Sequence, residues 1–377
     1  MIRHQVFFDT LGSLGEDSPA WRAVSAGLVV LRLVDSYGDS GSVPAPRSWV
    51  ELHNVRTTVD QVSCGDPVRW TLDAVVDAIA ERGIVDELVC SRLLSYGRAL
   101  DYEGRWTLAA DVFGSVAAKA APQKMARTAV EANIALGGAA RRAGDWTASS
   151  RAYSQAAQVA DAIGDRAGTL TVQVGIANTY MAKGNLPQAQ SILDDVIVQS
   201  RDLEMPEVVS VALHSRASLA QKRGDHAEGI KLAYEALNLT TRSAARDAVL
   251  ADIAALFSEL GMSSCARDAN LIVVATTQNQ WTKSQATINL LELAASDGNQ
   301  TAFDGYAREL RASSLPSWLG AHYLLYLGEG LRRFGRAEAA EAALTEAVAF
   351  SSANQIHQVM FQAEDALAAL RSDARVT

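Results

Sequence analysis

The chain has few cysteines, few aromatic residues, no long apolar run and no surplus of basic charge. Three cysteines in 377 residues, Cys64, Cys90 and Cys265, are odd in number and far apart. They exclude a disulfide framework and read as reduced, mostly buried thiols of a cytoplasmic protein. No stretch of 18 uncharged apolar residues occurs; the richest, Ala26 to Leu31, ends at Arg32. A membrane span is therefore not expected. Met1 to Val6 leads into Asp9, Glu16 and Asp17 without an apolar core, so no signal peptide is read. Lys and Arg total 34 against 43 Asp and Glu, a formal charge of −9. That balance argues against a nucleic-acid partner, because phosphate neutralisation needs clustered cations. Aromatics are 6% of the chain, whereas 49% is apolar. Alanine dominates many stretches, which points to helices packed closely through small residues.

Catalytic signatures are absent too. His4, His53, His214, His226, His322 and His357 never share the i, i+3 or i, i+4 spacing that puts two metal ligands on one helix face. No metal site and no cofactor are expected. There is no G-x-x-x-x-G-K-[ST] loop and no G-x-S-x-G elbow, and Gly12-Ser13-Leu14-Gly15 has no strand before it. The protein is read as a non-enzyme.

What the chain does contain is a repeat. A Gly ends one segment, and a small residue often follows five positions on. Gly104, Gly144, Gly184 and Gly224 are spaced by 40 residues, and Gly261, Gly298 and Gly335 continue at 37. Before each Gly lies a helix-periodic segment such as Val130, Ile134 and Leu136, which leads into Gly137-Gly138. After it comes a large residue nine positions on (Phe113, Tyr153, Leu193) and a smaller one three further (Val116, Ala156, Val196). Those two positions share a helix face. The Gly supplies a left-handed C-cap, and the Asp or Asn after it can open the next helix. One such pair cannot bury its apolar face alone, so neighbours must stack.

Asn133-Ile134-Ala135-Leu136-Gly137-Gly138 with Gly144-Asp145-Trp146 resembles a tetratricopeptide repeat (TPR). So does Ala177-Asn178-Thr179-Tyr180 with Gly184-Asn185-Leu186-Pro187-Gln188-Ala189. The linker Ala160 to Asp165 is similar to that of the longer, ~40-residue bacterial subclass. The usual Trp of the first helix is missing. The resemblance implies an all-α fold: a right-handed TPR-type α-solenoid of about seven helix pairs over residues 89–350. The residues on either side add an N-terminal three-helix bundle in 1–88 and a C-terminal capping helix in 351–377, about 18 helices in all. In the bundle, Ser18-Pro19 and Asp66-Pro67 are helix starts, Trp49 to Val62 forms the middle helix, and Gly38 to Pro46 is a loop. Residues 1–90 carry seven Arg, no Lys and thirteen Asp and Glu, which argues against a DNA-reading helix-turn-helix. The last helix is expected near Asn354 to Leu370.

TPR first helices line an inner groove. Carried onto this chain, the groove candidates are Arg98, Arg141, Arg142, Asn178, His214, Ser218, Asn289, Glu292, His322 and Glu329. That set is basic towards the N-terminal units and acidic towards the C-terminal ones. The Lys and Asn set that clamps a C-terminal carboxylate is not present. Trp106 and Trp146 occupy the place of a core aromatic between paired helices; Trp281 and Trp318 each precede a first helix and are expected to be buried against the previous unit, with exposed interface anchors as the alternative. The leading expectation is a cytoplasmic scaffold holding a protein or peptide, without nucleic-acid or membrane partners. The alternatives are a peptide-sensing regulator whose N-terminal bundle acts on a second protein, and a complex subunit using the outer face.

Overall fold

The computed structural model describes residues 3–38, 49–64, 66–80, 86–120, 125–277, 280–313, 315–354 and 356–376. Most of the expected loop Gly38 to Pro46 lies outside them. Among the described residues the chain forms helices and no strand. The first are α1 (Gln5–Ser13), α2 (Pro19–Gly38), α3 (Trp49–Asp60) and α4 (Pro67–Ala80). Three helix pairs follow: α5 (Asp86–Tyr102) with α6 (Trp106–Lys119), α7 (Ala126–Arg142) with α8 (Trp146–Ala162), and α9 (Arg166–Ala182) with α10 (Leu186–Asp202). Then come α11 (Pro206–Lys222) with α12 (His226–Leu239) and α13 (Ser243–Glu259) with α14 (Ser263–Thr276). The last pairs are α15 (Gln280–Ser296) with α16 (Gln300–Arg311) and α17 (Ser317–Arg333) with α18 (Ala337–Ala353), before α19 (His357–Val376). The chain divides into two compact units, Met1–Ile192 and Leu193–Thr377.

Among the described residues there are 19 helices where the periodicity predicts 18. The addition is α1. Its Phe7 is fully buried, with Val6, Phe8 and Leu11 packed beside it, so a segment without an apolar run still contributes to the core. Ser18 and Asp66 act as helix starts: Trp21 N–H donates to Ser18 Oγ at 3.1 Å, and Val68 N–H to Asp66 Oδ1 at 2.9 Å. The cysteines are free, and only Cys90 is fully buried; Cys64 is exposed, contrary to the expectation of mostly buried thiols.

The joints explain the spacing. From α7 to α11 every helix has 17 residues and is followed by a turn of three, so the chain repeats each 20 residues. The residue in each of these turns that adopts positive φ is Gly144, Gly164, Gly184, Glu204 or Gly224. At Gly144, Asp145 N–H donates back to Ala140 O at 2.9 Å, and Gly144 N–H to Arg141 O at 3.1 Å. This Schellman pair closes α7. The Asp145 carboxylate then accepts Ala148 N–H at 2.8 Å and opens α8. One residue thus terminates one helix and caps the next. Asp165, Asp225 and Asn299 do the same.

Between paired helices, size is matched across the contact. Seven residues before the marker Gly the first helix carries Gly97, Gly137 or Gly328 in three pairs, and nine after it the second helix carries Phe113, Tyr153 or Leu344. In these three pairs small faces large. A Cβ built on Gly137 would lie 2.7 Å from the Tyr153 ring, and one on Gly97 2.5 Å from Phe113. Ser149 Oγ donates to Gly137 O at 2.9 Å and adds a buried tie between the same two helices.

The N-terminal unit gathers Phe7, Leu31, Leu72, Leu93, Tyr96 and Phe113 into one core. The C-terminal unit gathers Leu291, Phe303, Leu319, Leu344 and Val359. On α19, Val359, Ala363 and Leu370 face inward while Phe361 stays exposed. Trp146 and Trp318 are more than a third exposed, contrary to the core placement expected for them. Each stands at the first turn of its helix, where packing comes from one side only; Lys183 Nζ lies over the Trp146 ring at 5.4 Å.

Candidate functional site

Within each unit the first helices of successive pairs pack side by side: α5, α7 and α9 in one, α11, α13, α15 and α17 in the other. A residue six positions before the marker Gly recurs along this wall as Arg98, Asn178, Ser218, Glu292 and Glu329. Stacking brings such residues to the neighbouring helix at separations close to one repeat.

Most of the candidate cations are used up in these stacks. Arg98 pairs with Glu131 across α5 and α7. Arg142 reaches Asp101 with two nitrogens, Nε to Oδ1 at 3.0 Å and Nη2 to Oδ2 at 2.6 Å. That forked geometry suits guanidinium and carboxylate. Arg141 is half-buried beside Tyr153; burial lowers its pKa, offset by Tyr153, and its Nε has no acceptor. His214 Nε2 lies 2.7 Å from Asp252 Oδ2, and Ser218 Oγ donates to the His214 carbonyl. Asn178 is half-buried on α9. Asn289 donates to Asn270 Oδ1 at 3.3 Å and accepts from Gln285.

The C-terminal candidates behave differently. Glu292 on α15 and Glu329 on α17 occupy the same register one repeat apart. Burial and the Glu329 charge raise the Glu292 pKa, against the opposing pull of Arg333. Arg333 itself donates to Ser296 Oγ at 2.6 Å. Burial, then the two glutamates, pushes the Tyr326 hydroxyl up to about 12. His322 sits between Trp318 and Tyr326, with ring centroids 4.3 Å and 6.2 Å away. Its Nδ1 lies 2.9 Å from Trp318 O, and burial lowers its pKa.

Sequence reasoning named one side of each pair and missed Glu131, Asp101, Asp252, Asn270 and Tyr326. A signal for the acids existed: opposite or hydrogen-bonding types recur 33 to 41 residues apart in Arg98–Glu131, Asp101–Arg142 and His214–Asp252. Among the described residues, no group of three or more His, Cys, Asp or Glu is placed to hold a metal ion, and no helix is long and apolar enough to cross a membrane.

No protein-family model and no curated protein matches the sequence. Solved structures do match in fold. One is a signal-transduction ATPase with numerous domains, carrying a tetratricopeptide repeat sensor, from Pyrococcus horikoshii. It is 10% identical, with a TM-score of 0.52 over 94% of this chain and 55% of that one. Another is NprR in complex with its cognate peptide NprX, 11% identical, with a TM-score of 0.50 over 85% of this chain and 97% of that one. With seven helix pairs that turn on positive-φ glycines, and with these fold relatives, the chain is a tetratricopeptide-repeat protein in fold.

Proposed function

We propose that the protein is a non-enzymatic scaffold that holds a protein or peptide segment along the face of its first helices. The observation that carries this reading is the repeated polar register on that face. It includes Asn178, Ser218, Glu292 and Glu329, side chains that hydrogen-bond or pair with main-chain and side-chain partners. A peptide-responsive regulator is the second reading. It draws on the extent of the match to NprR, a protein seen with a bound peptide.

The test is capture of partners from the native host with three baits: the wild type, Asn178→Arg on the first-helix face and Tyr234→Arg on the second-helix face. Tyr234 is 45% exposed, so its replacement leaves the core intact. Asn178→Arg is expected to lose the partner that wild type and Tyr234→Arg retain. The reverse pattern moves the function to the second-helix face.

A further inference from the structure

We infer that the face of α15 and α17 docks an extended protein segment through its Lys or Arg side chains; this deepens the scaffold reading and rests on it. Four observations converge. First, the charges on this face are unbalanced. Elsewhere the first helices offset their charges with one another, as in Arg98–Glu131, Arg142–Asp101 and His214–Asp252. At α15 and α17 the same stacking sets Glu292 near Glu329, and no ion pair to either is formed among the described residues. Two like charges in one register raise the free energy of the unbound face, and a cation laid between them relieves it.

Second, an aromatic stripe runs beside the glutamates. Trp318, His322 and Tyr326 are spaced by four along α17 and therefore share a side of the helix. Their rings stand in sequence at 4.3 Å and 6.2 Å. Trp318 is 39% exposed, so part of its π surface is open to a cation. Third, the stripe carries little opposing charge. Burial keeps His322 towards its neutral form, and its Nδ1 is directed at the Trp318 carbonyl. Arg333, whose charge pulls on Glu292, donates to the neutral Ser296 and forms no ion pair with either glutamate among the described residues. Fourth, Tyr326 stands three residues before Glu329 on α17 and so shares a side of the helix with it, which puts the end of the aromatic stripe beside the acidic pair. Carboxylates and aromatic faces arranged together favour guanidinium or ammonium groups. Their repetition along a helix favours a segment with more than one of them.

The probe is an acetylated tetra-arginine peptide, titrated calorimetrically into the full chain. Spermidine and tetra-glutamate serve as controls. Saturable binding of tetra-arginine and none of tetra-glutamate is expected. Glu292→Gln combined with Glu329→Gln should weaken tetra-arginine about tenfold or more and flatten its salt dependence. Trp318→Leu should weaken it about threefold with the salt dependence kept. Asp268→Asn with Glu338→Gln, which removes the same charge from exposed second-helix positions, should leave the affinity unchanged. The Gln variants are isosteric and relieve repulsion, so they should melt no lower than wild type. Should the double variant unfold, Glu329→Gln alone gives the same reading at smaller size.

Equal affinity of wild type and the Glu variants overturns the inference, as does equal weakening by the second-helix control. Spermidine binding as tightly as the peptide, or no peptide binding at all, overturns it too. The scaffold reading is judged separately by the Asn178→Arg capture, which does not depend on the acidic pair.

Discussion

Gly137 and Gly138 are neighbours in the middle of α7 with different surroundings. Replacing either by Ala raises helix propensity by about 1 kcal/mol. A Cβ on Gly138 meets the Arg142 guanidinium at 3.5 Å and the Tyr153 hydroxyl at 3.8 Å, both ordinary contacts. A Cβ on Gly137 meets three Tyr153 ring carbons at 2.7 to 2.9 Å. The ring cannot swing away freely, because Gly175 of α9 stands against it, with a built Cβ only 2.4 Å from a ring carbon. Overpacking of this kind costs about 1–3 kcal/mol. Gly138→Ala should therefore stabilise by up to about 1 kcal/mol, and Gly137→Ala should fall below it by roughly 1–3 kcal/mol. Urea unfolding of the full chain reads the gap as a shift of the midpoint at constant slope. The sequence suggests a rescue: the third repeat carries Ala177 and Leu193 at the offsets of Gly137 and Tyr153. Gly137→Ala with Tyr153→Leu should recover at least about 1 kcal/mol relative to the sum of the single changes. A gap under about 0.5 kcal/mol between the two glycine variants would refute the size-matching account.

Further predictions concern the joints and the buried titrating groups. Glu204 holds φ 53°, so Glu204→Gly should stabilise by about 0.5–1 kcal/mol, while Gly144→Ala at φ 79° should destabilise by a similar amount; thermal melts check both. Asp145→Ala should cost about 1 kcal/mol in urea unfolding through loss of the α8 cap. Burial pushes the Glu103 carboxyl up to about 7, against the pull of Arg105. The folded state therefore binds the proton more tightly, so stability falls as pH rises from about 4.5 through 7. Glu103→Gln should remove that fall and raise stability at pH 8 by roughly 1–3 kcal/mol. His4 lies between Asp111, at 2.5 Å from Nδ1, and Asp35, at 3.2 Å from Nε2. Burial lowers its pKa, but the two carboxylates outweigh it and the net shift is upward. Its contribution is present below pH 6.5 and lost as pH rises through the folded value. The stability difference between wild type and His4→Gln should accordingly shrink between pH 5.5 and pH 9.

The array was legible because its joints are local. A Gly with positive φ and an Asp or Asn cap are encoded within five residues, so Gly144-Asp145 and Gly224-Asp225 announce their turns. The spacing also showed the small pair Gly137-Gly138 before the joint and the large Tyr153 after it, but not that Gly137 rather than Gly138 meets the ring. α1 did not, because its buried Phe7 stands in a nine-residue helix with too few apolar positions to form a periodic pattern. Trp146 was misplaced because a family position specifies a register, not how much neighbouring surface covers the first turn, and Trp318 because its place before a first helix does not fix how far the preceding pair covers it. The binding face was the least legible part. Whether Arg98 or Arg142 offers a free charge depends on Glu131 and Asp101, one repeat away on another helix. Glu292 and Glu329 stand out only once those pairs are known.

The three-residue joints also limit how the chain can change length. A residue added at Ala143-Gly144-Asp145 breaks the register in which Gly144 closes α7 and Asp145 caps α8, and one added inside α8 before Ser149 turns the rest of that helix by about 100°, since an α-helix has 3.6 residues per turn. Tyr153 would then leave Gly137, and Ser149 would leave the Gly137 carbonyl. Between α7 and α11, where helix and turn together take 20 residues, single insertions and deletions throw the downstream helices out of phase. Loss or gain of a whole helix pair keeps it. Gene variants of this segment are therefore expected to differ by blocks of about 40 residues, with smaller length changes confined to segments outside the short joints.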